Sequence, residues 1–211
     1  MNIVILGAPA SGKGTQAELL VKKYNLFHLQ TGEIARNLAK SDMRIREIIN
    51  SGKLIPEQEM TMYVIDFLTN QKPGMSNILF EGFPRFISQY EALENFLKTK
   101  GDNLDAVISL DLDSVQAIQR ISARRICQKC GKVYNLITNP PEIEGKCNCD
   151  GELVQRDDDK PEAIKVRFQY YQDNTKQLID YLDKKGKLIR VDGSRSISEV
   201  FEEITQKLEA I

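Results

Sequence analysis

Residues 3–15 read IVILGAPASGKGT: an apolar strand signal, Ile3–Leu6, running directly into a glycine-rich turn. Gly7 to Lys13 fit the spacing G-x-x-x-x-G-K, with Gly14 after the lysine and the hydroxyl residue, Thr15, one place later. Apolar residues then recur at helical spacing (Ala17, Leu20, Val21, Tyr24), which predicts a helix over 13–24. Glycines let such a loop curl so that successive backbone N–H groups point inward at phosphate oxygens, and the helix adds the positive end of its dipole. Lys13 can reach the β and γ oxygens of a nucleotide, and Thr15 can meet Mg²⁺ directly or through water. The spacing alone is weak; its place between a strand and a helix makes it specific.

Working outward, continuous apolar runs recur at Ile78–Phe80, Ala106–Leu110 and Lys187–Val191. Helical patterns fall near Pro56–Leu68, Ser88–Lys100, Ser114–Arg124, Pro161–Leu182 and Ser198–Leu208, with Pro56 and Pro161 suited to a first turn. Ser196 and Glu199 have capping-box spacing. Continuous strands between helices predict an α/β fold with a parallel sheet covered on both faces. Two stretches break the rhythm: the charged, helical 30–55, and the turn-rich 125–156, which holds every cysteine. We read both as insertions in one core (1–29, 56–124 and 157–211), sitting where ligands bind beyond the strand ends.

Composition narrows the function. The chain has 211 residues, 41% hydrophobic and 28% charged, enough for a real core. A net charge of −1 offers no global field for nucleic acid or an acidic membrane, and no run approaches the roughly 18 apolar residues of a span. The start does not read as a signal peptide, so the expected setting is the cytoplasm. There, clustered cysteines point to metal ligation rather than disulfides.

With these residues in view, the chain resembles the adenylate kinase family of P-loop nucleoside-monophosphate kinases. Gly7-Ala-Pro-Ala-Ser-Gly12-Lys13-Gly14-Thr15 is similar to the family's phosphate loop. Thr31-Gly32-Glu33 with Arg36 looks like the start of its AMP-binding insertion, and Glu81-Gly-Phe-Pro-Arg85 with Gln89 like its second AMP motif. Arg120 with Arg124, then Arg156 with Arg167, look like its lid and hinge arginines. The resemblance implies reversible transfer of the γ-phosphoryl group of Mg-ATP to AMP, giving two ADP, in adenine nucleotide homeostasis. It implies ATP contacts from Ala10, Ser11, Gly12, Lys13, Gly14, Thr15, Arg120, Arg124, Val133, Tyr134 and Arg195. It implies AMP contacts from Thr31, Arg36, Lys53, Leu54, Ile55, Gly82, Phe83, Pro84, Arg85, Gln89, Arg156 and Arg167. Segment 30–55 becomes the AMP insertion, 125–156 a mobile lid, and the working form a monomer.

The chemistry suits those residues. AMP phosphate is already an anionic nucleophile, so neither a protein nucleophile nor a general base is needed. The task is to align two polyanions and neutralise the moving group, which arginine forks do well. Lys13, Arg85, Arg120, Arg124, Arg156 and Arg167 are the catalytic candidates. Arg120 and Arg124 are expected as an i, i+4 pair, and Arg156 beside Asp157–Asp159 also suits a hinge salt bridge. The one histidine, His28, lies in an apolar stretch and reads as a core residue.

Three departures from the family pattern stand out: Ala10 where a glycine is usual, Glu81 where an aspartate is usual, and an AMP insertion shorter by about one helical turn. In the lid, Cys127-Gln-Lys-Cys130-Gly131 is a zinc-knuckle turn, followed by Cys147-Asn-Cys149-Asp150. Counting from Cys130 makes Asp150 the fourth ligand, and counting back from Arg156 makes it Cys149. Zinc's preference for thiolate favours the set Cys127, Cys130, Cys147 and Cys149 for a structural Zn²⁺. Against a UMP/CMP kinase stand the metal-bearing lid and the Thr31 motif. Against a zinc-ribbon nucleic-acid binder stand the charge and the lack of aromatic–basic interleaving. No N-K-x-D motif supports a GTPase switch.

Overall fold

The computed structural model describes residues 1–70 and 74–211. Strands β1 (Asn2–Gly7), β2 (Phe27–Gln30), β3 (Ile78–Glu81), β4 (Ala106–Asp111) and β8 (Ile189–Asp192) form a five-stranded parallel sheet in the order β2-β3-β1-β4-β8. The chain runs from β1 out to one edge, returns through β3, and passes β1 to reach β4 and β8. The reversal falls at β1, whose carboxyl end carries the phosphate loop, the expected ligand position in an open α/β sheet.

Alternate residues of β1 supply both cores. Val4 and Leu6 join Phe80, Leu93, Leu97, Leu178 and Leu182 on one face, from β3, α5 (Ile87–Thr99) and α8 (Lys176–Lys184). Ile3 and Ile5 join Ala17, Leu20, Val200 and Ile204 on the other, from α1 (Lys13–Tyr24) and α9 (Ile197–Glu209). Because both faces are covered, the central strands β3, β1 and β4 run apolar along most of their length, as the continuous runs predict, whereas the edge strands β2 and β8 alternate. The remaining core helices are α4 (Glu57–Asn70), α6 (Ser114–Ser122) and α7 (Pro161–Tyr170). A π-helical turn, Tyr171–Thr175, joins α7 to α8, so the predicted helix over 161–182 is realised with one widened turn. Pro161 occupies the first turn of α7, Pro56 precedes α4, and the Ser196–Glu199 capping box is formed.

Helices α2 (Thr31–Leu38) and α3 (Met43–Asn50) build the first insertion around a small core of Ala35, Ile45 and Ile55. Its far end approaches α7 so closely that a Cβ at Gly52 would run into the Ala163 carbonyl. The second insertion is more regular than its sequence suggests. Strands β5 (Arg124–Cys127), β6 (Val133–Asn135) and β7 (Leu153–Val154) form an antiparallel sheet in the order β6-β5-β7. Hence α6 ends at Ser122 and Arg124 opens a strand. The expectation that Arg120 and Arg124 share one helix face is corrected: they sit on different elements.

Candidate active site

The phosphate loop closes on itself through the Ser11 amide, which donates to the Ala8 carbonyl at 3.1 Å. Ala10 adopts φ 61, the left-handed region where a side chain is strained, so the departure from glycine is absorbed as local strain. Gly12 caps α1 without a side-chain hydrogen bond, and the first turn carries no acidic residue. The helix N-terminus is thereby left open to an anion. Lys13 Nζ donates to the Gly7 and Ala8 carbonyls at 3.0 and 2.6 Å. Burial lowers its pKa to about 7, with Arg85, Arg167 and Arg124 adding to the shift and Glu81 opposing it.

A cavity of about 1080 Å³ opens beyond the loop. It is lined by Ala10 to Thr15, by Thr31, Arg36, Lys53, Leu54 and Ile55, and by Gly82, Pro84, Arg85 and Gln89. Arg120, Arg124, Val133, Tyr134, Arg156, Arg167 and Arg195 also line it. One sequence expectation is corrected. Phe83 is fully buried in the main core and does not line the cavity, whereas Phe86 does. Arg195 lines the cavity, but its guanidinium pairs with Glu203.

The charges are paired unevenly. Arg85 is half-buried, its Nε donating to the Gly82 carbonyl at 2.8 Å; desolvation, then repulsion from Arg167, lowers its pKa to about 10. Desolvation, then repulsion from Arg124 and Arg36, brings Arg156 to about 10 as well. The buried Arg156 Nε has no hydrogen-bond partner among the described residues. The salt bridge expected of Arg156 is made by others. Asp159, with no exposed surface, accepts from Arg124 Nε at 2.7 Å and from Arg167 Nη1 at 2.8 Å. Asp158 also pairs with Arg167, at 2.9 Å, and Asp157 pairs with Lys160. Arg120 is held by the Gly193 and Ser194 carbonyls at 2.8 and 3.1 Å.

Glu81, at the end of β3, faces the loop: a Cβ on Gly14 would lie 3.5 Å from its Oε1. Its Oε2 lies 3.0 Å from His28 Nε2 and accepts from Gln30 Nε2 at 2.6 Å. Burial pushes the Glu81 pKa up, but these bonds and the charge of Lys13 prevail and hold it below the usual carboxylate range. His28 is therefore not a core residue; it is half-buried against this carboxylate. An ionised Glu81 facing the loop, with Thr15 on the same cavity wall, is a donor set that fits Mg²⁺ carried by a nucleotide.

In the lid, the four cysteine sulfurs lie within 4.8 Å of one another, with Cys127–Cys149 and Cys130–Cys147 each at 3.6 Å. A zinc tetrahedron needs sulfur–sulfur edges of about 3.8 Å, so the four thiols fit it. Asp150 is outside this group: it takes φ 61 in the turn after Cys149 and is exposed. The Tyr134 hydroxyl lies 3.3 Å from Cys147 Sγ, so one buried ring touches both the thiols and the cavity.

Sequence reasoning did not single out Gln30, Asp158, Tyr170, Tyr171 or Gly193, all of which line the cavity. Only the Asp157–Asp159 run carried a signal, and it was attached to the wrong arginine.

A parallel α/β sheet, a phosphate loop after its first strand, and a cavity walled by arginines from the core and from both insertions define a nucleoside-monophosphate kinase of the P-loop class. Comparisons narrow the class. A family model described as adenylate kinase matches residues 5–187. The chain is 41% identical to an adenylate kinase of Fervidobacterium nodosum, covering 95% of this chain and 94% of the relative. It is 38% identical to that of Thermosipho africanus, covering 97% of each chain, and 39% identical to one from Listeria monocytogenes, covering 99% of each. The chain belongs to the adenylate kinase family.

Proposed function

We propose that this enzyme catalyses Mg-ATP + AMP ⇌ 2 ADP, with ATP on the phosphate-loop side of the cavity and AMP on the α2–α3 side. The observation that carries the reading is one cavity lined both by the loop Ala10–Thr15 and by Thr31, Arg36, Lys53–Ile55 and Gln89, with Arg85, Arg156 and Arg167 also on its wall. Arg36 and Arg85 hold the AMP phosphate. Lys13, Arg120 and Arg124 hold the ATP phosphates, and Arg156 and Arg167 bridge the two. Val133, Tyr134 and Arg195 close over the nucleoside of ATP, while Gly82, Pro84 and Gln89 line the AMP base. Mg²⁺ supplies charge neutralisation on the phosphates, with Thr15 and Glu81 positioned to hold it, Glu81 through water.

The unpartnered Arg156 Nε supports this reading, because a buried donor without an acceptor is costly and a phosphate oxygen satisfies it. The cysteine cluster holds one structural Zn²⁺, and segments 30–55 and 125–156 act as the AMP-binding insertion and the lid. Thiols gathered without a disulfide suit the reducing cytoplasm, and a cavity enclosed by one chain suits a monomer. Among the described residues no helix is long and apolar enough to cross a membrane.

The purified protein is expected to convert ADP to ATP and AMP with Mg²⁺ and no other enzyme present. If ADP is inert while UMP or a sugar is phosphorylated in an acceptor panel, the AMP assignment fails.

The depressed Lys13 pKa gives a second expected result. In the free protein Lys13 titrates near 7. Phosphate oxygens beside Nζ favour its charged form, so the bound state holds more protons than the free state. ATP binding at pH 8 should therefore take up close to one proton, and affinity should fall as pH rises above 7, by at most about tenfold per unit. Calorimetry in two buffers of different ionisation enthalpy measures the uptake. Equal heats in both buffers would show that no proton is taken up and would overturn the expected change in Lys13 charge on binding.

A further inference from the structure

The Glu81 carboxylate is anchored from one side by alternate residues of a neighbouring strand. β2 and β3 run parallel with Gln30 opposite Glu81, and His28 and Gln30 point to the same face two residues apart. Both reach Oε2, at 3.0 and 2.6 Å, so the longer side chain that replaces an aspartate is pinned rather than free. Gln30 does more than pin it. Its Oε1 accepts from Arg36 Nη2 at 3.2 Å, which makes a continuous chain from Glu81 through Gln30 to Arg36.

The chemistry of the two ends fixes the link. A carboxylate only accepts and a guanidinium only donates, so the group between them must donate at one end and accept at the other. An amide does this in one orientation, with no charge of its own. A carboxylate at 30 would oppose Glu81, an amine would oppose Arg36, and an apolar side chain would release both. Glu81 belongs to the ATP–Mg²⁺ half of the site and Arg36 to the AMP half, so Gln30 spans the divide between the two substrates.

We infer that Gln30 is a positioning residue for phosphoryl transfer, which holds Glu81 toward the metal of Mg-ATP and Arg36 toward the AMP phosphate through one side-chain amide. The inference rests on the two-nucleotide reading above. It assigns a role to a residue that touches neither reacting atom, and it gives the departure at Glu81 a structural counterpart on β2.

The experiment uses the full-length enzyme with two substitutions at position 30. Gln30→Leu removes both bonds and should raise both the KM for AMP and the Mg²⁺ concentration for half-maximal turnover at fixed ATP, each by about tenfold. AMP affinity measured alone by calorimetry should fall in step. Gln30→Glu keeps an acceptor for Arg36 but sets a second carboxylate against Glu81, so it should shift the Mg²⁺ requirement and leave AMP affinity near the parent value. A purely structural role for Gln30 would not produce that split. In a double-mutant cycle, Gln30→Leu should add little to the Mg²⁺ defect of Glu81→Asp, whose shorter side chain already leaves the amide behind. The inference is overturned if Gln30→Leu leaves both quantities within twofold, if the two substitutions act alike, or if the cycle is additive. Arg36→Ala separates this from the reading beneath it. If Arg36→Ala weakens AMP and Gln30→Leu does not, the inference alone falls. If Arg36→Ala leaves AMP binding intact, the AMP site itself is misplaced and the inference falls with it.

Discussion

Replacing Lys13 or Arg85 with alanine should cut turnover by ~10² or more and leave the melting temperature unchanged or slightly raised. The loss follows from where the charges sit. Lys13 lies in the loop that cradles phosphates, and Arg85 lies on the wall between the two proposed nucleotide positions. Neutralisation of the transferring group can be worth ~10³–10⁵ in related chemistry, so ~10² per cation is a lower bound. The stability half follows from desolvation. Both groups are half-buried, both have pKa values lowered chiefly by desolvation, and neither forms an ion pair among the described residues. A charge held out of water without a counter-ion costs folding free energy, so deleting it relieves a strain. Steady-state kinetics and a thermal scan of each variant test the two halves. A variant with near-normal turnover would remove that residue from the reacting centre, and a large drop in melting temperature would make it a structural residue instead.

The second large effect concerns the lid. Cys149→Ser should release the bound metal and lower the melting temperature, whereas Asp150→Asn should do neither. The lid sheet has strands of 4, 3 and 2 residues, and its buried cluster is only Cys127, Tyr134 and Cys147 with Cys149 and Leu153 against it. So small a core is a weak support for its own fold, which leaves the lid dependent on the Zn²⁺ proposed for the cysteine cluster. Asp150, exposed in a left-handed turn, is outside the group of converging thiols and is expected to have no part in that. Native mass spectrometry before and after each substitution counts the metal directly. If Asp150→Asn loses zinc and Cys149→Ser keeps it, the fourth position passes to Asp150.

Much of this was legible in the sequence, for identifiable reasons. The central strands are fully buried, so they announce themselves as unbroken apolar runs, and the phosphate loop sits in the one context that gives it meaning. Strand β2 was missed because it lies at the sheet edge. Phe27-His-Leu-Gln30 alternates instead of running apolar, and only Leu29 is fully buried. Read instead as an apolar stretch, the segment suggests a core position for His28, which in fact faces Glu81. The lid strands are too short to show a period, which also misplaced Arg124 on the preceding helix. Pairings between distant residues leave no local trace. Nothing near Arg124 predicts Asp159, and nothing near Gln30 predicts Glu81, 51 positions away. The cysteine ligand set was ambiguous by one residue because spacing can be counted from either end, whereas convergence of the sulfurs has no such ambiguity.

Asp158 and Asp159 give the cleft a property familiar from ion-exchange chromatography. A fresh resin is never bare: each fixed cation carries a small counter-ion that the analyte displaces into the eluent, and that release makes retention steeply dependent on salt. Here Arg124 and Arg167 carry their counter-ions on the same polymer. In the proposed complex a nucleotide takes over these guanidiniums, and the displaced carboxylates stay tethered to the chain, so nothing is released to the medium. The ionic-strength dependence of nucleotide capture must therefore be shallower than the number of basic residues around the cleft would suggest.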